Sequence, residues 1–163
     1  MKRVVFVLLA VVSLSTGCFK DDKGCSYTQS TTVAPASEQT MIEEYLAANS
    51  ITATKHSSGM YYEIVQVGTG GSPALCSSVQ INYAGKLTNG STFDSNTNAV
   101  FTLGTLIDGW KKGLPMIQKN GRIKLYIPPS LGYGAVDIKD RDNNVIIPAN
   151  SMLIFDITLL NFQ

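Results

Sequence analysis

The chain has 163 residues, of which 44% are hydrophobic, and this suffices for one domain with a buried core. Thirteen basic and twelve acidic side chains nearly balance, so nothing in the composition indicates binding to nucleic acid or to anionic lipid head groups. The single histidine, His56, lies in the polar stretch TKHSSG. We therefore expect no metal, no cofactor and no histidine-based acid–base catalysis.

The first 17 residues have the pattern of a lipoprotein signal peptide. Residues 1–3 are positively charged and residues 4–12 form a continuous apolar run, which is typical of a secretory leader and too short to span a bilayer. Residues 13–17 lead from this run to Cys18 in a segment that resembles a bacterial lipoprotein box, so we expect Cys18 to carry lipid. Ser15 stands where that box usually has an aliphatic residue, so an ordinary cleaved leader without lipid is the alternative.

Residues 18–36 are polar, show no apolar period and are predicted to form a tether. The stretch FKDDKG directly after Cys18 resembles the surface-export signal of Bacteroidetes lipoproteins, and the alternative is a solvated linker. We expect a lipid-anchored protein of the cell envelope, in the outer membrane and facing either side of it. The anchor is the predicted contact with the membrane.

Two cysteines remain if Cys18 carries lipid. An even pair in an exported chain predicts a disulfide between Cys25 and Cys76. Such a bridge closes a loop of about fifty residues and stabilises the fold by up to roughly 4 kcal/mol in the chain-entropy model. Two buried free thiols are the alternative.

Residues 37–58 are predicted to form an N-terminal helical segment, with a helix from Ser37 to Asn49 that has Ser37 as its N-cap and Glu38 in its first turn. Its apolar stripe consists of Met41, Ile42, Tyr45 and Leu46.

Strand signals dominate from residue 59 to the end of the chain, which we predict to be one domain. MYYEIVQV, SVQINYAGKL, RIKLYIP and SMLIFDITLL read as strands, TNGS as a hairpin turn, and STFDS and VFTLG as two short strands. Residues 107–114 read as one short helix that contains Trp110, the single tryptophan. The predicted fold is α+β, a strongly twisted antiparallel sheet wrapped around that helix.

Three stretches carry a family resemblance: VQINYAGKLTNGSTFDSN, FTLGTLIDGWKKGLPMIQKNGRIKLYIPPSLGYGA and IIPANSMLIFDITLL. Together they resemble the FKBP family of peptidyl-prolyl cis–trans isomerases over about residues 60 to 162. The resemblance implies catalysed rotation of Xaa–Pro bonds in proline-containing polypeptides, assistance to the folding of exported or envelope proteins, and inhibition by the family's macrolide-type ligands.

The resemblance also implies a cleft between the helix and the sheet. Trp110 would form its floor, Asp94 and Tyr133 its polar rim, and the backbone N–H of Ile107 would hold a substrate carbonyl. Ile147 would lie on the flap. The apolar walls would be Tyr83, Phe93, Leu106, Ile107 and Phe155.

Each of these residues also has an ordinary structural interpretation. Aromatic residues in half-buried strands are more often core than site, and Asp94 in TFDSN is typical of a turn cap. Two departures from the family pattern stand out: Ala99 replaces a pocket phenylalanine, and the flap over residues 136–145 is long. They keep open a second function, an FKBP-fold binding or chaperone module with little or no isomerase activity. A third alternative is a lipoprotein that acts through its tether and N-terminal helix.

Overall fold

The computed structural model describes residues 24–163. The predicted leader over residues 1–17, the lipidation site at Cys18 and most of the stretch FKDDKG lie outside the described residues. Among residues 24–163, no helix is both long enough and apolar enough to cross a bilayer.

The described chain forms a six-stranded antiparallel sheet, a two-stranded ribbon and two α-helices. The strand order in the sheet is β1-β2-β5-β8-β3-β4, and β6 and β7 form the ribbon. The elements are α1 (Ala36–Ala48), β1 (Thr54–Lys55), β2 (Tyr61–Gln66), β3 (Ser78–Lys86), β4 (Thr92–Thr102), α2 (Asp108–Gly113), β5 (Arg122–Ile127), β6 (Ile138–Lys139), β7 (Val145–Ile147) and β8 (Leu153–Phe162).

The core lies on the inner face of the sheet, as the period-two pattern of the strands predicts. Ile123, Leu125 and Ile127 of β5 are fully buried, and so are Ile157 and Leu159 of β8. Helix α2 covers this face, so the predicted α+β architecture is confirmed.

Helix α2 is shorter than predicted, and close packing rather than backbone freedom explains the glycine at position 109. The helix ends at Gly113, and a 3₁₀ turn over Leu114–Met116 follows it. The family resemblance implies that Gly109 lets the backbone turn into the helix. In the structure Gly109 lies inside the helix, and a Cβ there would come within 2.5 Å of Ile127 Cδ1. The glycine is needed because the helix backbone packs directly onto β5.

The segments STFDS and VFTLG are parts of one long strand, β4, rather than two short strands. Strand β4 pairs with β3 through the predicted TNGS turn, where the Leu87 N–H donates to the Ser91 carbonyl at 2.9 Å. A register shift interrupts the pairing, and Asn98 takes a positive φ of 64° there. The sequence suggests a break because this irregular centre lacks an alternating pattern.

Helix α1 packs on the outer face of the sheet. Its N-cap is Pro35, whereas Ser37 lies inside the first turn, so the predicted cap is wrong. Of the predicted stripe, Ile42 and Leu46 are buried and Met41 is 38% exposed. The cluster that they form with the sheet contains Ile42, Leu46, Tyr61, Tyr126 and Met152.

Residues 24–35 lie against the domain, which differs from the predicted tether. Cys25 is joined to Cys76 by a disulfide with a Cα–Cα distance of 5.6 Å, so this prediction is confirmed. Lys112 of α2 donates to the Ser30 carbonyl, and the Ala34 N–H donates to the Ser58 carbonyl at 2.8 Å. A polar composition hides the two hydrogen bonds because each is accepted by a backbone carbonyl, whatever the side chain.

Candidate functional site

A cavity of about 210 Å³ opens between helix α2 and the inner face of the sheet. It is smaller than the clefts of about 300–1,000 Å³ that hold drug-sized ligands, so it fits a single ring or side chain. Its lining residues are Tyr83, Phe93, Asp94, Phe101, Leu106, Ile107, Trp110, Tyr133 and Phe155.

The floor of this cavity is Trp110, which the first turn of α2 presents to the sheet. The indole is 4% exposed and meets three aromatic rings edge-on or tilted. The ring centroids of Phe155 and Tyr83 lie 5.0 and 5.2 Å from it, and that of Phe101 lies 6.4 Å away. These edge-to-face contacts fix the plane of the indole. The indole face that points into the cavity is available to a ligand.

The wall opposite α2 is built by Phe93 on β4 and Phe155 on β8. Their rings meet edge-to-face at 5.5 Å across strand β3. A Cβ at Gly85 of β3 would lie 2.6 Å from the Phe93 ring and 2.7 Å from the Phe155 ring. Only a glycine in this strand lets the two phenylalanines close over it, which explains the glycine in YAGKL.

The polar groups of the cavity lie at its rim. The Tyr83 hydroxyl donates to Asp94 Oδ2 at 2.7 Å. Burial, and then this contact with Asp94, raise the pKa of Tyr83 well above its ordinary value. Burial also raises the pKa of Tyr133, with a further contribution from the Asp94 charge. Both phenols therefore stay protonated and neutral at physiological pH.

The loop before α2 supplies a backbone donor. Ile107 caps the helix, and its carbonyl accepts from the amides of Trp110 and Lys111. Within residues 24–163 the Ile107 N–H has no hydrogen-bond acceptor. It is available to a ligand carbonyl beside the indole.

Eight of the nine cleft residues predicted from the sequence line this cavity, and Ile147 does not. Ile147 lies on β7 of the ribbon, as predicted for the flap, but its side chain is 3% exposed and packs in the main core. Its partner across the ribbon, Ile138, packs against the same core.

Sequence reasoning missed Phe101. It expected a thinner wall at Ala99, which is buried in the core and does not line the cavity. Phe101 is two residues further along β4, and its ring lies 6.2 Å from that of Tyr83. Ala99 and Phe101 lie on one face of β4 because side chains alternate along a strand. This alternation in VFTLG is the sequence signal that indicates Phe101.

The flap between Tyr133 and Pro148 contains the β6–β7 ribbon. Asp140 closes the turn of the ribbon by accepting from the backbone amides of Asp142 and Asn144, each at 2.9 Å. Asp137 accepts from the Ala149 N–H at 2.7 Å. The long insertion is thus a hydrogen-bonded hairpin.

A larger cavity of about 530 Å³ lies on the outer face of the sheet, beside α1. Its wall includes the Arg122–Asp156 pair, in which the guanidinium donates to both carboxylate oxygens at 2.8 and 2.7 Å. Of the predicted site residues it includes Tyr83, which also lines the smaller cavity. Six of the nine residues that line the smaller cavity are aromatic, against three of the twelve that line the larger one, so the smaller cavity is the candidate site.

Known proteins are similar to this chain in sequence and in fold. Residues 70–160 match the model of the family described as FKBP-type peptidyl-prolyl cis-trans isomerase. The chain is 36% identical over 129 residues to FkpA of Aeromonas hydrophila, an FKBP-type peptidyl-prolyl cis-trans isomerase. The aligned residues are 74% of this chain and 45% of that protein.

Two solved structures have a fold similar to that of this chain. The crystal structure of FkpA from Escherichia coli has a TM-score of 0.66 at 34% identity and covers 78% of this chain and 60% of that one. A peptidyl-prolyl cis-trans isomerase from Pseudomonas syringae also gives 0.66, at 26% identity, and covers 81% of this chain and 98% of that one.

The chain belongs to the family of FKBP-type peptidyl-prolyl cis-trans isomerases, since the family model covers more than half of it. It spans about half the length, or less, of the curated relatives that it matches.

Proposed function

We propose that this protein catalyses cis–trans rotation of Xaa–Pro bonds in polypeptides and so assists the folding of exported or envelope proteins. The observation that supports this most strongly is the aromatic cavity on Trp110, which fits a proline ring and lies in a chain of the isomerase family. Each neighbouring peptide unit can then lie along the polar rim of Tyr83, Asp94 and Tyr133.

The mechanism rests on desolvation. Rotation about an amide bond costs about 18–20 kcal/mol because the planar form is stabilised by resonance. The twisted transition state has lost part of the amide dipole, so removal from water costs it less than it costs the planar ground state. A dry cavity therefore lowers the barrier by destabilising the planar form relative to the twisted one.

The polar groups orient the peptide and take no proton. The Ile107 N–H would donate to the substrate carbonyl that follows proline, and the Tyr133 hydroxyl would contact the peptide on the opposite side of the rim. The Tyr83–Asp94 hydrogen bond keeps the carboxylate at the edge of the cavity. Neither phenol ionises near neutral pH, because burial raises the pKa of each.

A protease-coupled assay on a panel of peptides that differ in the residue before proline tests this function. We expect the protein to accelerate isomerisation of the whole panel, with the highest kcat/KM for apolar residues. A macrolide-type ligand of the family should compete for the cavity and change the emission of Trp110, the single tryptophan. A folded protein that accelerates no peptide in the panel would contradict the proposal.

A binding module is the second candidate, and the flap favours it. Val136 and Val145 are 62% and 47% exposed in the segment between Tyr133 and Pro148. An apolar surface of this kind can hold unfolded polypeptide without any turnover. Retained binding of an unfolded, proline-free chain after Val136→Ser and Val145→Ser would rule out this role for the flap.

We also propose that the mature protein starts at Cys18 and is held by lipid in the cell envelope, as an outer-membrane lipoprotein of Bacteroidetes type. The Cys25–Cys76 disulfide supports export, because such bridges persist in oxidising compartments. Metabolic labelling with a fatty-acid analogue tests the anchor. Label that remains after Cys18→Ser would contradict it.

A further inference from the structure

Helix α1 is bonded to the loop that carries Tyr133. The Glu38 carboxylate, in the first turn of the helix, accepts two hydrogen bonds from Ser130 across a separation of 92 residues. The Ser130 hydroxyl donates to Oε2 at 2.7 Å, and the Ser130 backbone N–H donates to the same oxygen at 3.0 Å.

Ser130 lies within a 3₁₀ turn over Pro129–Leu131, three residues before Tyr133. The turn is closed by the Gly134 N–H, which donates to the Pro129 carbonyl at 2.8 Å. Tyr133 therefore lies between two backbone groups that the turn holds together. Its hydroxyl bonds no other group within residues 24–163, and its side chain is 39% exposed. The turn therefore sets the position of the Tyr133 backbone, from which the phenol extends to the cavity.

Helix α1, which carries Glu38, is packed firmly against the sheet. Ile42, one helical turn further along the same face, is fully buried against the outer face of the sheet, and Leu46 continues that contact. The preceding chain is held too, since Gln39 Nε2 donates to the Ala34 carbonyl at 2.7 Å. The carboxylate thus reaches the Tyr133 turn from an element that has little freedom to move.

We propose that Glu38 is a positioning residue for the isomerase reaction, acting through the Ser130 turn to hold Tyr133 at the rim of the cavity. This inference rests on the proposed isomerase function. It makes the N-terminal helix a working part of the isomerase rather than a spacer before it.

A double-mutant cycle on the full chain tests the inference. Charged hydrogen bonds are stronger than neutral ones, so we expect Glu38→Ala to lower kcat/KM by about threefold to tenfold. Because Glu38 acts through the phenol, its loss should not exceed that of Tyr133→Phe. In the Tyr133→Phe background, Glu38→Ala should then cost less than about twofold.

Two further variants separate positioning from folding. Glu38→Gln keeps the shape and one acceptor oxygen, so it should recover most of the activity that Glu38→Ala loses. Glu44→Gln removes a carboxylate from the exposed side of the same helix and should change nothing. Amide hydrogen exchange should rise at residues 130–134 in Glu38→Ala and stay unchanged in Glu44→Gln.

The outcomes distinguish this inference from the function on which it rests. A wild-type protein that isomerises no peptide refutes the isomerase proposal itself. Wild-type activity together with full activity of Glu38→Ala overturns the positioning role. So does an equal loss with and without the Tyr133 hydroxyl, because Glu38 would then act on folding in general.

Discussion

Truncation of Trp110 tests the floor of the cavity in both stability and activity. The indole is 4% exposed and contacts three aromatic rings at 5.0 to 6.4 Å. Deletion of a buried aromatic side chain to alanine costs about 3–5 kcal/mol. Because a domain of this size is stable by about 5–15 kcal/mol, Trp110→Ala should remain folded at low temperature with a clearly lower denaturation midpoint.

The activity loss can be worked out separately. Full burial of an aliphatic group of proline's size stabilises by about 1.5–3 kcal/mol. The walls remain after truncation and the floor supplies about half of the contact, so about 0.75–1.5 kcal/mol is lost, or roughly fourfold to twelvefold in kcat/KM. Trp110→Leu keeps an apolar floor and should retain part of the activity.

The assay is protease-coupled isomerisation at a temperature at which denaturation curves show that all variants are folded. A matched control is Tyr62→Leu, a partly buried aromatic that packs on the core but does not line the cavity. It should lower stability and leave kcat/KM unchanged. A folded Trp110→Ala variant with full activity would refute the reasoning and place catalysis elsewhere on the domain.

Four further predictions follow from the site and the termini. Tyr133→Phe should lower kcat/KM by about 0.5–1.5 kcal/mol, the value of a neutral hydrogen bond, and a folded but inactive variant would instead show a chemical role for the hydroxyl. Replacement of both Cys25 and Cys76 by serine should lower the free energy of unfolding by up to about 4 kcal/mol for a separation of 51 residues, and an unchanged guanidinium midpoint would contradict this. Because the pKa values of Tyr83 and Tyr133 are raised, both phenols stay neutral, so kcat/KM should be flat from about pH 6 to pH 9, and a bell-shaped profile would require proton transfer. Cys18→Ser should move the protein from the detergent phase to the aqueous phase or leave the precursor uncleaved, and unchanged partitioning would argue against the anchor.

The sequence predicts the sheet and most of the cavity because both depend on period-two alternation. Ile123, Leu125 and Ile127 alternate with polar residues, and in the structure all three are fully buried. The cavity residues are predicted from sequence stretches that resemble the family, because the place of each residue within a stretch indicates its place in the cleft. Composition alone would assign Trp110 to the core.

The missed features depend on contacts between distant segments. The Glu38–Ser130 bonds join positions 92 residues apart, and no local pattern marks either partner. Residues 24–35 look like a tether because their contacts with α2 and with Ser58 use backbone carbonyls and amides.

Two further differences concern single positions. The family resemblance implies that Ile147 contributes to the cleft from the flap, and in the structure it lies on the flap ribbon with its side chain packed in the core. The irregularity at Asn98 hides that β4 is one strand, although Ala99 and Phe101 alternate regularly after it. Backbone irregularities of this kind leave only a weak trace in sequence.

Line-shape NMR of a short Xaa–Pro peptide, with catalytic amounts of the protein, tests the central claim most directly. The measurement detects exchange between the cis and trans resonances independently of any protease. We expect the two sets of signals to broaden with wild-type protein and to broaden markedly less with Trp110→Ala at equal concentration. Peptide resonances that shift on binding while cis and trans stay in slow exchange would contradict the account and identify a binding module instead.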